Sequence, residues 1–480
     1  MIKLFFLYSI EDFLKEIVLI VIGIVLGVIL EFIRKKVSLF KEKQNDKIIN
    51  EYEKTICDSE FINFRNTILE EYYGSDNWTK IEERKFPVYS FEAISNYPYP
   101  FDELYDKSKL KLLEKQFNKI IDFKKIKYYK EYKNLMENKN EKYKRVKRPK
   151  YPGYMLDKIQ LSKENKVVYF TAWAGIYEQN VYTSHILEYE LYVMYKKYKN
   201  ITPDYYHKIK NELTIRNKIH FGKETFDGQF MFDAFSTGCN RASLLGVQLI
   251  VLFKDKDKQY KFIIMERSKD VAARPGFYQF PPSGGFEVHK WDNEWDTRKR
   301  ENIIKENFSI EHAIFREYLE EVFGVENYVS GESSDATKEI DGEQQVKTIK
   351  SLIKNGTAKF EFLGITVELV TLRHELSFVL RIEDSDEFTE NIKFFKTNHE
   401  HKGGKVLTIP KNDINEIIKS ETRLINEGSA GLWYLFSKSH LFKEIVSPSL
   451  PLDNLSQPPK RPRNSPKNEN GNNNRQNGSR

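Results

Sequence analysis

The chain has 480 residues, and 77 Lys and Arg against 70 Asp and Glu leave a formal charge of +7, mildly basic for its length. With 40% hydrophobic and 14% aromatic residues it can bury at least one large core, which excludes wholesale disorder and suits two to three modules of about 150 residues. Only two cysteines occur, Cys57 and Cys239, with no second Cys or His at metal-ligand spacing, so the pattern argues against disulfides or structural zinc and for a reducing compartment.

The first predicted element is a membrane anchor in residues 1–43. Ile17 to Leu30 contains no polar side chain, and extended to Phe13–Ile33 it spans ~31 Å as a helix, the thickness of a hydrocarbon core. No small-residue cleavage site follows, which disfavours a signal peptide. Arg34, Lys35, Lys36, Lys41 and Lys43 follow the span whereas Lys3 and Lys15 precede it, so the expected orientation is single-pass with the bulk of the chain in the cytoplasm. Gly23 and Gly27 form a G-x-x-x-G that favours close approach of two such helices.

Residues 44–234 read as a helical, partly basic region of unassigned fold, with a helical run from Lys107 to Met136 and a strand-like piece, Val167 to Thr171. Residues 124–150 carry 12 Lys or Arg against 3 Glu, interleaved with Tyr128, Tyr129, Tyr132 and Tyr143. That composition fits a solvated helix face, anionic lipid or nucleic-acid phosphates.

Residues 235–445 change texture. Strands are predicted at Leu245–Phe253, Tyr260–Met265, Phe360–Thr371, Leu376–Ile382 and Val406–Ile409, and helices at Ser309–Val322, Asn412–Glu421 and Ala430–Phe436. Strands on both sides of a central helix indicate an α+β domain. Residues 446–480, without aromatics or periodicity, read as a disordered basic tail.

Within this domain one helix carries chemistry. Ser309 is a candidate N-cap and Gly324 a candidate stop. At about 100° per residue Glu317, Glu320 and Glu321 share one face, while Phe315, Leu319, Val322 and Phe323 share the opposite one. Three carboxylates at this spacing repel one another, and a hard cation such as Mg²⁺ or Mn²⁺ relieves that; three glutamates are also a common solvated face.

The run from Tyr278 through Phe280, Gly284, Gly285 and Glu287, followed by Arg316-Glu317-x-x-Glu320-Glu321 and Gly324, resembles the Nudix box of Nudix hydrolases. The resemblance covers residues 235–445 and implies a C-terminal Nudix-like α/β/α sandwich, with Glu317, Glu320 and Glu321 as metal ligands and, in an active enzyme, catalytic groups. Two departures bear on activity. The usual box places its arginine 14 positions after its glycine, whereas 31 separate Gly285 from Arg316, and Phe308 occupies the position of the box's first glutamate. Both count against efficient diphosphate hydrolysis but not against phosphate binding.

Arg267, Lys269, Arg274 and Arg316 are candidate phosphate contacts beside Gly284 and Gly285, while Phe277, Tyr278 and Phe280 are candidates for stacking on a base or for core packing. Arg373 and His374, at an expected hairpin turn, are weaker candidates. The order of membrane span, polar middle and Nudix-like domain resembles the membrane-anchored NUDIX effectors of CBASS antiphage systems, whose domain is also called SMODS-associated. That resemblance implies a cyclic nucleotide ligand, a partner nucleotidyltransferase that makes it, a homo-oligomer and an inner-membrane bilayer as target. The competing expectation is a membrane-tethered, Mg²⁺-dependent Nudix hydrolase of nucleoside diphosphate derivatives.

Overall fold

The computed structural model describes residues 2–94, 97, 99–105, 110, 125, 127–142, 152–200, 206–221, 232–267, 276–288, 297–325, 336–383, 388, 406–410, 414, 416–418 and 425–446. The basic tail and most of the residues between 106 and 126 therefore lie outside the described residues.

Helix α1 runs without interruption from Ile2 to Ile56. Its apolar stretch is rich in Ile and Val, which are indifferent helix formers in water; in hydrocarbon a helix is the only single-segment way to satisfy every backbone group. Its most apolar 18-residue window has a mean hydropathy of 2.8 and no part of it is buried, so α1 is long and apolar enough to cross a membrane. From Phe13 the side chains stay exposed through Phe40, and among the described side chains of the helix the first buried one is Ile49. From there Ile49, Tyr52 and Ile56 enter the main core, so one helix continues from the span into the body.

The next helix, α2 (Ser59–Tyr73), starts where the Asp58 side chain accepts from Glu60 N at 2.8 Å and stops at Gly74, whose φ of 78° ends the helical path. The basic block forms helix α3 (Tyr129–Lys142). Tyr132 and Leu135 are buried, and Lys139 is buried against Glu53 of α1 at 2.8 Å. Part of the Lys/Tyr pattern is thus a packed helix on α1; residues 143–150 lie outside the described residues. With α4 (Ile186–Tyr198), these helices pack through tyrosines, for example Tyr132 on Tyr189 and Tyr52 on Tyr192.

The middle region is not wholly helical. Val88–Glu92 forms strand β1, and β2 (Pro152–Leu161) pairs with β3 (Val167–Ile176) as an antiparallel hairpin. Sequence reading found only the first half of β3, because Ala172 to Gly175 carries little β-branched signal. It missed β1, which is five residues long and follows a proline.

Strands β4 (Leu245–Lys254), β5 (Tyr260–Glu266), β6 (Tyr278–Gln279), β7 (Ser283–Gly285), β8 (Ala358–Glu368), β9 (Arg373–Ile382) and β10 (Val406–Pro410) join β1 in an eight-stranded sheet. The order is β10-β5-β4-β9-β8-β1, with β6 on β5 and β7 on β4. Only β4 and β9 run parallel. Both are buried on both faces, which the sequence of β4 shows as a near-continuous apolar run, whereas β9 places Arg373, His374, Glu375, Ser377 and Arg381 among its apolar residues. Val247, Leu249 and Val251 belong to one core with helix α5 (Ile310–Phe323), whereas Ile250 and Leu252 belong to a second with helix α6 (Glu427–Lys438). Helices therefore cover both faces of a mixed sheet, the α+β sandwich expected, with β1 contributed from outside 235–445.

Candidate functional site

Helix α5 begins at Ser309, whose side chain accepts from His312 N, and ends at Gly324 with φ 66°. Phe315, Leu319, Val322 and Phe323 are buried on the core side, as their spacing requires. The polar face is buried too: Glu317 is 6% and Glu321 2% exposed, because strand β7 lies across it.

These side chains clamp β7. Arg316 Nη2 donates to Gly285 O at 2.8 Å, and Ser283 N donates to Glu321 Oε2 at 2.8 Å. Glu317 lies against Gly284 so closely that a Cβ there would overlap its carboxylate. Arg316 in turn pairs with Glu317 and reaches Glu320 at 3.5 Å. Burial alone would lower the pKa of Arg316, but the carboxylates of Glu317, Glu320 and Glu287 outweigh it and raise it, so the guanidinium stays charged.

This geometry bears on a divalent cation. Among the described residues no three His, Cys, Asp or Glu side chains gather as a ligand set. Arg316 stands between Glu317 and Glu320, where it supplies the positive charge that a cation would otherwise supply. The donor set as arranged does not fit a resident Mg²⁺ or Mn²⁺. Phe308, in place of the box's first glutamate, is core, packed on Tyr105, Tyr154 and Phe286. Glu287, two residues after Gly285, adds its charge to those of Glu317 and Glu320 on Arg316. Part of the long insertion forms a helix, Thr297–Glu306, tied down by Tyr154 Oη donating to Ile304 O at 2.7 Å.

On the opposite face of the sheet, beside the start of α6, lies a second polar group. Buried Arg216 donates to Leu369 O and Val370 O at 2.8 and 2.7 Å, and Arg241 to Leu372 O at 3.2 Å, which fixes the β8–β9 turn and the strand start that follows. Arg373 therefore lies over Gly246, where a Cβ would come within 2.8 Å of its Nη2, and it approaches Gly284 O at 3.4 Å and Glu375 at 3.4 Å. Gln248 links Thr366 and Ser377 to Glu375 Oε2 and Gly428 O, at 2.9 to 3.2 Å. Gln279 Oε1 accepts from Arg267 Nη1 at 2.7 Å and Asn426 Nδ2 at 3.0 Å. Burial raises the pKa of Glu375, opposed by Arg373 and Arg267 and reinforced by Glu427.

Of the sequence candidates, Gly284, Gly285 and Arg316 come together with the three glutamates, Arg373 approaches Gly284 O from the second polar group, and Arg267 lies in that group on Gln279. Phe280 does not: it is core, stacked on Trp433 with ring centroids 6.0 Å apart. Phe277 is buried, and Tyr278 is half-buried with its hydroxyl donating to Glu266 at 3.4 Å. His374 is buried between Ser243 and Phe235 O and is a structural residue. Lys269 and Arg274 lie outside the described residues. Sequence reading missed Gln248, Gln279 and Glu375; a polar residue inside an otherwise apolar strand was the available signal.

No protein-family model matches the chain, and no curated protein matches it. Among solved structures, a NUDIX hydrolase from Alicyclobacillus acidocaldarius aligns over 41% of this chain and 90% of its own at 11% identity, with a TM-score of 0.23.

Proposed function

We propose that this chain is a membrane effector of a bacterial antiphage signalling system. In this reading the Nudix-like domain, residues 235–445, senses a cyclic nucleotide made by a partner nucleotidyltransferase. The transmembrane segment of α1 then oligomerises and disrupts the inner membrane, with the bulk of the chain cytoplasmic. The observation that carries it is Arg316, which engages Glu317 and Glu320 and turns a box that resembles a hydrolase's into a clamp on β7. A site built this way keeps arginines for phosphates without the metal that hydrolysis uses. A sensor needs binding that favours one assembled state, not turnover.

The test uses the full chain in detergent, incubated with cyclic di- and trinucleotides and, separately, with ADP-ribose plus Mg²⁺. Recovery of a bound, intact cyclic nucleotide without ADP-ribose turnover is expected. Steady turnover abolished by Glu320→Gln would replace this reading with the membrane-tethered hydrolase.

A further inference from the structure

Helix α1 does not pass directly from its apolar segment into the body. Every residue from Phe13 to Gln44 is exposed, and Ile49 is the first buried side chain among those described. At 1.5 Å per residue Ile49 lies ~24 Å along the helix from Ile33, the expected end of the hydrocarbon segment. Residues 34–48 are therefore a stalk between the apolar segment and the body.

The stalk begins with charge of one sign. Residues 34–43 carry Arg34, Lys35, Lys36, Lys41 and Lys43 against Glu42 alone, a net +4, whereas residues 1–16 hold two Lys against three acidic side chains. Two of these ammonium groups turn back along the helix: Lys36 Nζ lies 4.9 Å from the centroid of the Phe32 ring, and Lys35 Nζ is 3.4 Å from Glu31. Long side chains on a helix lean this way, and here it brings both charges to the level where hydrocarbon gives way to headgroups. A headgroup layer is ~5–8 Å deep, and Lys41 and Lys43 stand ~12 and ~15 Å beyond Ile33 in a helix along the bilayer normal, within about one Debye length of its outer surface. Val37, Leu39 and Phe40, exposed between the charges, suit an interface better than water. The second basic block does not compete where it is described: Lys139 is buried on Glu53 of α1, ~30 Å along the helix from Ile33 and well beyond the Debye length.

We propose that residues 34–43 of α1 bind anionic phospholipid headgroups in the leaflet that faces the body. The inference rests on the membrane-spanning part of the reading above and not on nucleotide sensing; it adds the class of lipid and the residues that hold it. The net +4 attracts headgroups that carry net negative charge and gains nothing from zwitterionic ones, each Lys or Arg near such a surface strengthening binding about fivefold. Because the body is built on the far end of the same helix, these headgroups fix the depth of the span and the height of the body together.

The test reconstitutes the full chain into liposomes of equimolar phosphatidylglycerol and phosphatidylcholine, extracts it in mild detergent and quantifies the lipid that stays with it by mass spectrometry. Phosphatidylglycerol should exceed phosphatidylcholine about threefold or more. The ratio should fall towards one on extraction in 1 M salt and in the triple variant Lys36→Gln, Lys41→Gln, Lys43→Gln, and arginine at the same three positions should keep it. A parent chain that resists alkaline carbonate extraction yet retains both lipids equally would overturn this inference and leave the span standing. A ratio that the glutamine variant keeps would place the anionic lipid elsewhere on the chain and overturn it too. Loss of the parent chain from the liposomes in carbonate would sink the span and this inference together.

Discussion

At Gly284 a Cβ would overlap the Glu317 carboxylate, which is held by Arg316 and buried under β7. Gly284→Ala should therefore cost about 1–3 kcal/mol, the usual range for overpacking a closed site. Denaturant titration checks this, and an unchanged midpoint would mean that Glu317 can swing aside freely. His374 sets a pH dependence. Burial, with Arg241 nearby, pulls its pKa down to about 3 despite its bond to Phe235 O. The unfolded chain protonates this residue near pH 6.5, so stability is full above that and falls towards pH 3, by at most about 1.4 kcal/mol per pH unit. Glu190 has the opposite sign: burial, opposed by Arg216 and two backbone N–H groups, raises it to about 7. Its contribution is complete below the unfolded carboxylate pKa and lost as pH rises through 7. His374→Gln should remove only the first slope and leave that of Glu190 unopposed, so that between about pH 4.5 and 6.5 stability falls more steeply with rising pH than in the parent chain; an unaltered curve would contradict the assignment.

Between elements, the most consequential contact joins α2, which follows the membrane helix, to α6, which borders the polar group. Arg65 Nη2 meets Glu427 Oε1 at 2.6 Å, with side chains 2% and 6% exposed, and Glu188 of α4 lies 3.8 Å from Arg65. Glu427 is the first residue of α6, between Asn426, which bonds Gln279, and Gly428, which packs on Glu375. Removing one partner from such a pair leaves a buried charge, so Arg65→Met should cost about 3–5 kcal/mol and the double change with Glu427→Gln should recover much of it. Additive losses in a denaturant double-mutant cycle would sink this. None of this was legible in the sequence, because 362 positions separate the partners. What was legible had strong local periodicity: the carboxylate helix with its Ser309 and Gly324 ends, the strand pair from Leu245, and the span. The clamp on β7 was not, since a helical wheel shows that Glu317, Glu320 and Glu321 share a face but not what covers it. The aromatic candidates misled for a related reason: Phe280 sits in a motif-rich loop but alternates inward onto Trp433.

At the scale of the whole molecule, α1 stands exposed from Phe13 to Phe40 and then enters the core at Ile49, so the apolar segment and the body share one helix. An exposed apolar surface of that length is costly in water, at roughly 25 cal/mol per Å². Leu26→Arg should therefore reduce membrane partitioning in cell fractionation and leave the proposed cyclic nucleotide binding intact, and unchanged partitioning would contradict the assignment of the span. In the proposed sensing reading, a continuous helix would give ligand binding a direct mechanical route to the bilayer, because α1 is tied to the body by Tyr52 on Tyr192 and by Glu53 on Lys139. The central claim joins these two ends of the molecule, and dye release from liposomes that contain the reconstituted full chain tests it most directly. The account predicts leakage when a bound cyclic nucleotide is added, and none from Leu26→Arg liposomes; a tightly bound nucleotide that releases no dye from parent-chain liposomes would contradict it.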